Sequence, residues 1–255
     1  MTPTQAQFLS TPELLEALFL QCDMRSLLTT IQRVCKQWHE IICGTPSIQR
    51  HLFLRPAEGE IFLDAVQNPL LSEVFPPFFS AIDGTFTKGL YGREEIERLT
   101  LAQHTDAFLR WGATWRKMHV QQPPLRAMGV SRPSDYYAVI YEQPVNMGML
   151  YDHILRLLIS PQQLWRIWWK KDFALKDNVG LCDECKHECT RMLLSEVDAV
   201  LIRGSSSWES ITVRPLDRDF MAKFAYPGRL RSQSIESVLP RFVAGSLSRS
   251  DQREL

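Results

Sequence analysis

Four side chains of metal-ligand type fall close together at Cys182-x-x-Cys185-x-His187-x-Cys189. Thiolate sulfur and imidazole nitrogen are the donors of structural zinc, and Cys-x-x-Cys can place two thiolates on one ion. Structural sites usually take two ligand pairs from separated segments, whereas here one short loop would have to wrap a tetrahedron alone. The run therefore reads as a polar connector with incidental thiols. A small structural zinc protein stays open as an alternative built on Cys182, Cys185, His187 and Cys189.

The other chemistry-bearing residues form no reactive constellation. His104, His119 and His153 have no nucleophile in a recognised context beside them. Ser205-Ser206-Ser207 follows Gly204 as a turn and lacks the Gly-x-Ser-x-Gly frame of a nucleophile elbow. Gly84-Thr85-Phe86-Thr87-Lys88-Gly89 holds a lysine and two glycines in the wrong order to cradle phosphate. Trp165, Trp168 and Trp169 beside Lys170 and Lys171 could be an aromatic and basic surface for nucleic acid. They read instead as an amphipathic helix with Leu164, Ile167 and Trp168 facing a core. No enzyme and no cofactor are expected.

Charge points the same way. The 255 residues carry 29 basic and 29 acidic side chains, so no global positive field draws in a polyanion. No apolar run approaches the roughly 20 residues that span a bilayer; the best, Ile154 to Ile159, contains Arg156. The start, Met-Thr-Pro-Thr-Gln, lacks a basic and then apolar leader. A protein of the cytosol or nucleus with reduced thiols is expected, without membrane or nucleic-acid partners.

Helical signals dominate the first part of the chain. Thr11-Pro12-Glu13 starts a helix, with proline suited to the first position and glutamate to the positive end of the dipole. Leu14, Leu15, Ala17, Leu18 and Leu20 follow at helical spacing. Asp23 opens a second helix carrying Leu27, Leu28, Ile31 and Val34, and the series runs through Trp38, Ile41 and Ile42 to Gly44-Thr45-Pro46. Residues 45–80 read as a connector punctuated by Pro46, Pro56, Asn68-Pro69 and Pro76-Pro77, and 81–93 as a loop. A helix is expected over 94–119, with Leu101, Phe108, Trp111, Trp115 and Met118 near one face, ended by Pro123-Pro124. Tyr136 to Tyr141 reads as a strand. Residues 147–172 read as one or two helices. Val197 to Arg203 and Ser210 to Arg214 read as strands joined by the turn at 204–207. Apolar density falls after 215, and the Ser- and Arg-containing residues 215–255 read as a flexible tail. Its bland reading is a solvated end. Its sharper one is a regulatory segment, with Ser232, Ser234 or Ser248 phosphorylated beside arginine. No internal repeat is present.

The segment Thr-Pro-Glu-Leu-Leu-Glu-Ala-Leu-Phe-Leu-Gln, followed by Asp-Met-Arg-Ser-Leu-Leu and by Gln-Arg-Val-Cys-Lys-Gln-Trp-His-Glu-Ile-Ile, resembles an F-box, most closely that of fungal F-box proteins. Thr11 stands where the family usually has leucine. Weaker islands of the same likeness lie at Asn68-Pro69-Leu70-Leu71, Phe75-Pro76-Pro77-Phe78-Phe79, Trp115-Arg116-Lys117-Met118 with Gln121-Gln122-Pro123-Pro124, and Met147-Gly148-Met149-Leu150-Tyr151-Asp152. The resemblance implies a helical module that docks on a Skp adaptor, and through it on a cullin-RING ubiquitin ligase. It places the adaptor contact at Pro12, Leu14, Leu15, Leu18, Leu27, Leu28, Val34 and Trp38, with Trp38 and Ile31 the better candidates for the module's own core.

The expected fold class is therefore α+β and mainly helical. A three-helix F-box module at 8–55 precedes a mixed helix and strand domain at 60–214, which would hold an unknown target protein, and then the tail. The expected function is a non-catalytic substrate receptor. A scaffold that binds the adaptor without serving a ligase is the alternative from another class.

Overall fold

The strands at 163–169 and 199–205 are built around residues that gain by leaving water, three tryptophans in the first and Ala199 to Ile202 in the second, and their pairing organises the rest of the chain. The computed structural model describes residues 11–57, 65–79, 90–108, 110, 112–131, 136–141, 143–158, 162–171 and 197–205. Its N-terminal part runs α1 (Pro12–Phe19), α2 (Met24–Thr29), a 3-10 turn (Ile31–Arg33), α3 (Lys36–Gly44) and α4 (Pro46–His51). Then come β1 (Val66–Gln67), α5 (Pro69–Val74), α6 (Pro76–Phe79), α7 (Arg93–Glu97), α8 (Thr105–Phe108) and α9 (Thr114–Lys117). The series closes with β2 (Gln121–Gln122), β3 (Ala127–Ser131), β4 (Tyr136–Ile140), α10 (Met147–Leu157), β5 (Gln163–Trp169) and β6 (Ala199–Ser205). Helices and strands thus mix, as a mixed α/β fold requires.

The larger sheet has the order β4-β3-β6-β5. Strand β6 pairs parallel with β3 and antiparallel with β5, in registers Met128↔Ala199 and Trp169↔Ala199. Residues Ala199 to Ile202 are all buried, the continuous apolar pattern of a strand covered on both faces. Beside it, Trp165, Arg166, Ile167, Trp168 and Trp169 are buried in succession. That corrects the helix expected over 147–172: α10 ends at Leu157, and the tryptophan run is a strand. A surface helix would leave part of that run in water, whereas a pleated strand packed on both sides hides every side chain, and aromatic residues fit such a surface. Trp169 stacks on Phe79 with ring centroids 5.6 Å apart and donates its Nε1 hydrogen to the Phe78 carbonyl at 3.0 Å.

Other expectations change for equally local reasons. The connector at 45–80 contains α4, β1, α5 and α6. Three of its prolines begin helices rather than interrupt them: Pro46, Pro69 and Pro76 are the first residues of α4, α5 and α6, where the missing N–H has no intrahelical partner to lose. Asn68 caps α5 by accepting from the Leu71 N–H at 3.1 Å, and Phe75 and Phe78 become fully buried. The single helix expected over 94–119 is three short ones. The backbone turns after α7, and Gly112 adopts a φ of 73°, which no helix accommodates. The glycine and serine expected in a turn after 203 lie in β6, where Gly204 pairs with Leu164 and Ser205 with Gln163. Strands over 136–140 and 199–203 lie within the spans read from the sequence. The strand expected at Ser210 to Arg214 and the tail from 215 lie outside the described residues.

Helix α10 closes on α9 through a backbone contact. A Cβ on Gly148 would stand 2.9 Å from the Arg116 carbonyl oxygen and 3.0 Å from the Arg116 Cβ. The approach also joins the Arg116 guanidinium to Asp152 at 2.6 Å, with both side chains largely removed from water. On the same helix His153 is held neutral. Burial, then the positive charges of Arg156 and Arg203, push it down to about 4.

Two outcomes follow. Gly148→Ala forces the α9 backbone and α10 apart, and costs on the order of 1–3 kcal/mol in urea unfolding. Because the folded His153 titrates below the ordinary 6.5, the unfolded chain binds the extra proton in between. Stability therefore falls as the pH drops from about 6.5 toward 4, by on the order of 2–3 kcal/mol. In His153→Gln, unfolding midpoints measured across that window lose this part of the slope.

Candidate functional site

Helix α1 turns one side inward and the other out. Its inner residues Leu15 and Phe19 are buried, and Phe19 meets Trp38 of α3 edge to face at 5.2 Å between centroids. Leu14 and Leu18, one turn apart on the outer side, keep 44% and 42% of their surface in water. Pro12 and Ala17 are exposed with them. Val34, at the end of the 3-10 turn, is 58% exposed. These leucines and Val34 are three of the four large apolar side chains left exposed among the described residues; the fourth is Val66 on β1.

Local chemistry fixes the elements that carry this surface. Pro12 fills the first position of α1 and Glu13 faces its positive end. Asp23 caps α2, its Oδ1 accepting from the Ser26 N–H at 2.9 Å, and hydrogen bonding from the Ser26 side chain and then from that N–H holds its carboxyl below the ordinary carboxylate range. Met24 and Leu27 turn into the core from the helix so begun. Helix α4 ends with Phe53 at a φ of 58°, a left-handed conformation usually left to glycine. Tertiary contacts hold it there: its side chain is buried, and its carbonyl accepts from the His119 N–H at 2.7 Å.

The residues proposed for an adaptor contact thus divide by position. Pro12, Leu14, Leu18 and Val34 face solvent. Leu15 and Leu27 are sealed within the chain, so in this conformation they shape the surface from beneath rather than form it. Leu28 and Trp38 are half-buried against the same core, as is Ile31. Spacing alone places Leu14 and Leu15 in one apolar series; only the packing of α1 on α3 separates them.

The surface is held firmly to the rest of the chain. The Gln122 side-chain amide donates to the Arg50 carbonyl at 2.8 Å and to that of Arg55 at 3.1 Å. Arg25 on α2 pairs with Glu73 on α5 at 2.7 Å. One apolar cluster runs from Leu15 to Leu201. Gln122 carries this junction, and the island Gln121-Gln122-Pro123-Pro124 marks its place in the sequence without indicating that role.

The other candidates fall elsewhere. Cys182, Cys185, His187 and Cys189 lie outside the described residues. Among those described, no three His, Cys, Asp or Glu side chains gather as a metal site. Trp165, Trp168 and Trp169 are buried and offer no face to stack a base. His104 is exposed, and His119 is buried with its protonation opposed chiefly by that burial. No helix among the described residues is long and apolar enough to cross a membrane.

No protein family, curated protein or solved structure matches the chain.

Packing on the two sides of α1 sets contrasting outcomes. Leu15→Ala opens a cavity and costs about 2–5 kcal/mol. Leu14→Ala and Leu18→Ala each change stability by less than about 1 kcal/mol. Chemical unfolding of the three variants separates the sides.

Proposed function

We propose that this chain is an F-box protein: a non-catalytic substrate receptor whose N-terminal helices dock on a Skp adaptor, and which presents a target protein to a cullin-RING ubiquitin ligase. The observation that carries the reading is the outward placement of Leu14 and Leu18 on α1, within the segment whose order of residues resembles the F-box. Leucines at this exposure gain free energy when a partner removes them from water, at about 25 cal/mol for each Å² of apolar surface covered. Pro12 and Val34, in the same segment, are exposed as well. Leu15, Phe19 and Leu27 give the surface a rigid base, so less ordering entropy opposes docking.

Such a receptor works by proximity. The ligase supplies the charged conjugating enzyme, and a tethered target meets it at high effective concentration. The residues beyond 60 then serve to hold the target. The hydrogen bonds of Gln122 and the Arg25–Glu73 pair favour this role, because they oppose free swinging of the target-holding part against the docking face.

Capture of the chain by a purified Skp adaptor tests the reading. Leu14→Asp and Leu18→Asp weaken capture by on the order of a hundredfold, because a carboxylate without a partner is costly to bury. Val66→Asp, on an exposed residue of β1, leaves capture unchanged. Undiminished capture by both leucine variants overturns the choice of surface. Adding the cullin distinguishes a ligase subunit, which enters the larger complex, from an adaptor-bound scaffold, which does not.

A further inference from the structure

The larger sheet ends in β4 on one side and in β5 on the other. The outer edge of β5 is engaged at Trp165. Tyr91 donates its N–H to the Trp165 carbonyl at 2.8 Å, and Trp165 returns a bond to the Tyr91 carbonyl at 2.9 Å. On β4, the Tyr141 N–H just past the strand donates to the Arg126 carbonyl at 2.8 Å, which fixes the alternation. In the antiparallel register of β3 and β4, Tyr137 and Val139 therefore turn their backbone groups toward β3. Tyr136, Ala138 and Ile140 turn theirs away from the sheet. Among the described residues, no strand pairs with that outer edge. Charges, prolines and bulges are the devices within a strand that keep an open edge from pairing. The run Tyr-Tyr-Ala-Val-Ile has no charge and no proline, and each of its residues is matched by one on β3, so it has no bulge.

We propose that the outer edge of β4 pairs with the same edge of a second copy of this chain, antiparallel about a two-fold axis at Ala138. The outward residues are evenly spaced, so the edge is complementary to itself. Ala138 meets Ala138 of the second copy and Tyr136 meets Ile140, each pair exchanging two backbone hydrogen bonds. An aromatic residue opposite a β-branched one is a favoured combination at such positions. Two four-stranded sheets become one of eight strands, within the usual range of open sheets. The chain's own continuation fits this edge less well. Strand β6 runs parallel to β3 and ends at Ser205, beyond the Tyr136 end of β4. A direct return along β4 from there runs parallel to it, the less stable pairing per residue, whereas a second copy meets it antiparallel. The paired copies double every surface the chain carries, so a partner with two binding points is held by avidity. The pairing stands independently of the adaptor reading.

The test is the mass of the purified full chain in solution, measured by sedimentation equilibrium across a dilution series. The expected result is a monomer–dimer equilibrium. Amide hydrogen exchange at Ala138 slows as the concentration rises, a readout that needs no variant. Ala138→Pro removes the outward N–H at the axis, and Tyr136→Pro removes one at the first residue of the strand. An edge strand tolerates proline where the N–H faces away from its sheet. Each variant weakens dimerisation at least about tenfold, and far-ultraviolet circular dichroism verifies that each is folded. A chain that stays monomeric overturns the proposal. Slow exchange at Tyr136, Ala138 and Ile140 in that monomer marks the edge as covered by another segment of the same chain, and fast exchange leaves it to a strand of a different protein. A dimer that persists in both proline variants overturns the proposal too. So does one that dissociates in Leu14→Asp and not in the proline variants, which puts the contact on α1.

Discussion

Strand β6 can be buried on both faces only because its two flanks are occupied by other strands. Its neighbours β3 and β5 meet its backbone in opposite senses, one parallel and one antiparallel. Remove either and a row of amide groups would be stranded inside an apolar core, at a cost comparable to a lost hydrogen bond for each group. Most of the packing described above follows. Tryptophans of β5 lie against Phe78 and Phe79 of α6, and Phe75 beside them joins Phe108, Trp115 and Tyr151. Rings gathered from four separate stretches of sequence thereby form one interior. The helices that supply them are short, four residues for α6, α8 and α9, and too brief to persist without that interior.

The parts legible in the sequence are those whose cause is local. Asp23 caps the helix it precedes, Pro12 opens α1, and the helix begun at Lys36 ends at Gly44, where glycine, threonine and proline follow in turn. The strand at 136–140 is an aromatic and β-branched run that reads as itself. What the sequence obscured depends on distant partners. Trp165, Trp168 and Trp169 satisfy helical and strand spacing about equally over so few residues. The decision falls to β6, whose partner register lies thirty or more positions away. Asn68-Pro69 and Pro76 look like breaks until the helices they begin have a core to enter.

The same division runs through the candidate surface. The order of residues from Thr11 to Ile42 carries the F-box resemblance and places several leucines at the docking position. It does not say which side of α1 is outside. Leu14 and Leu15 differ in nothing but a rotation of about 100° about the helix axis. That rotation becomes meaningful only once Phe19 has found Trp38. The cost of the arrangement is visible at Phe53, where a bulky residue is held in a conformation that suits glycine. Its buried ring and the bond from His119 offset that cost.

Gln122 reaches across to the end of α4 and bonds to the carbonyls of Arg50 and Arg55, groups that every amino acid possesses. The two sides of this joint are therefore unequal under mutation. Positions 50 and 55 can drift through many side chains while still offering the same oxygens, whereas position 122 must keep an amide of that reach. In distant versions of this chain, the mark of a preserved joint would be a constant glutamine facing two variable residues.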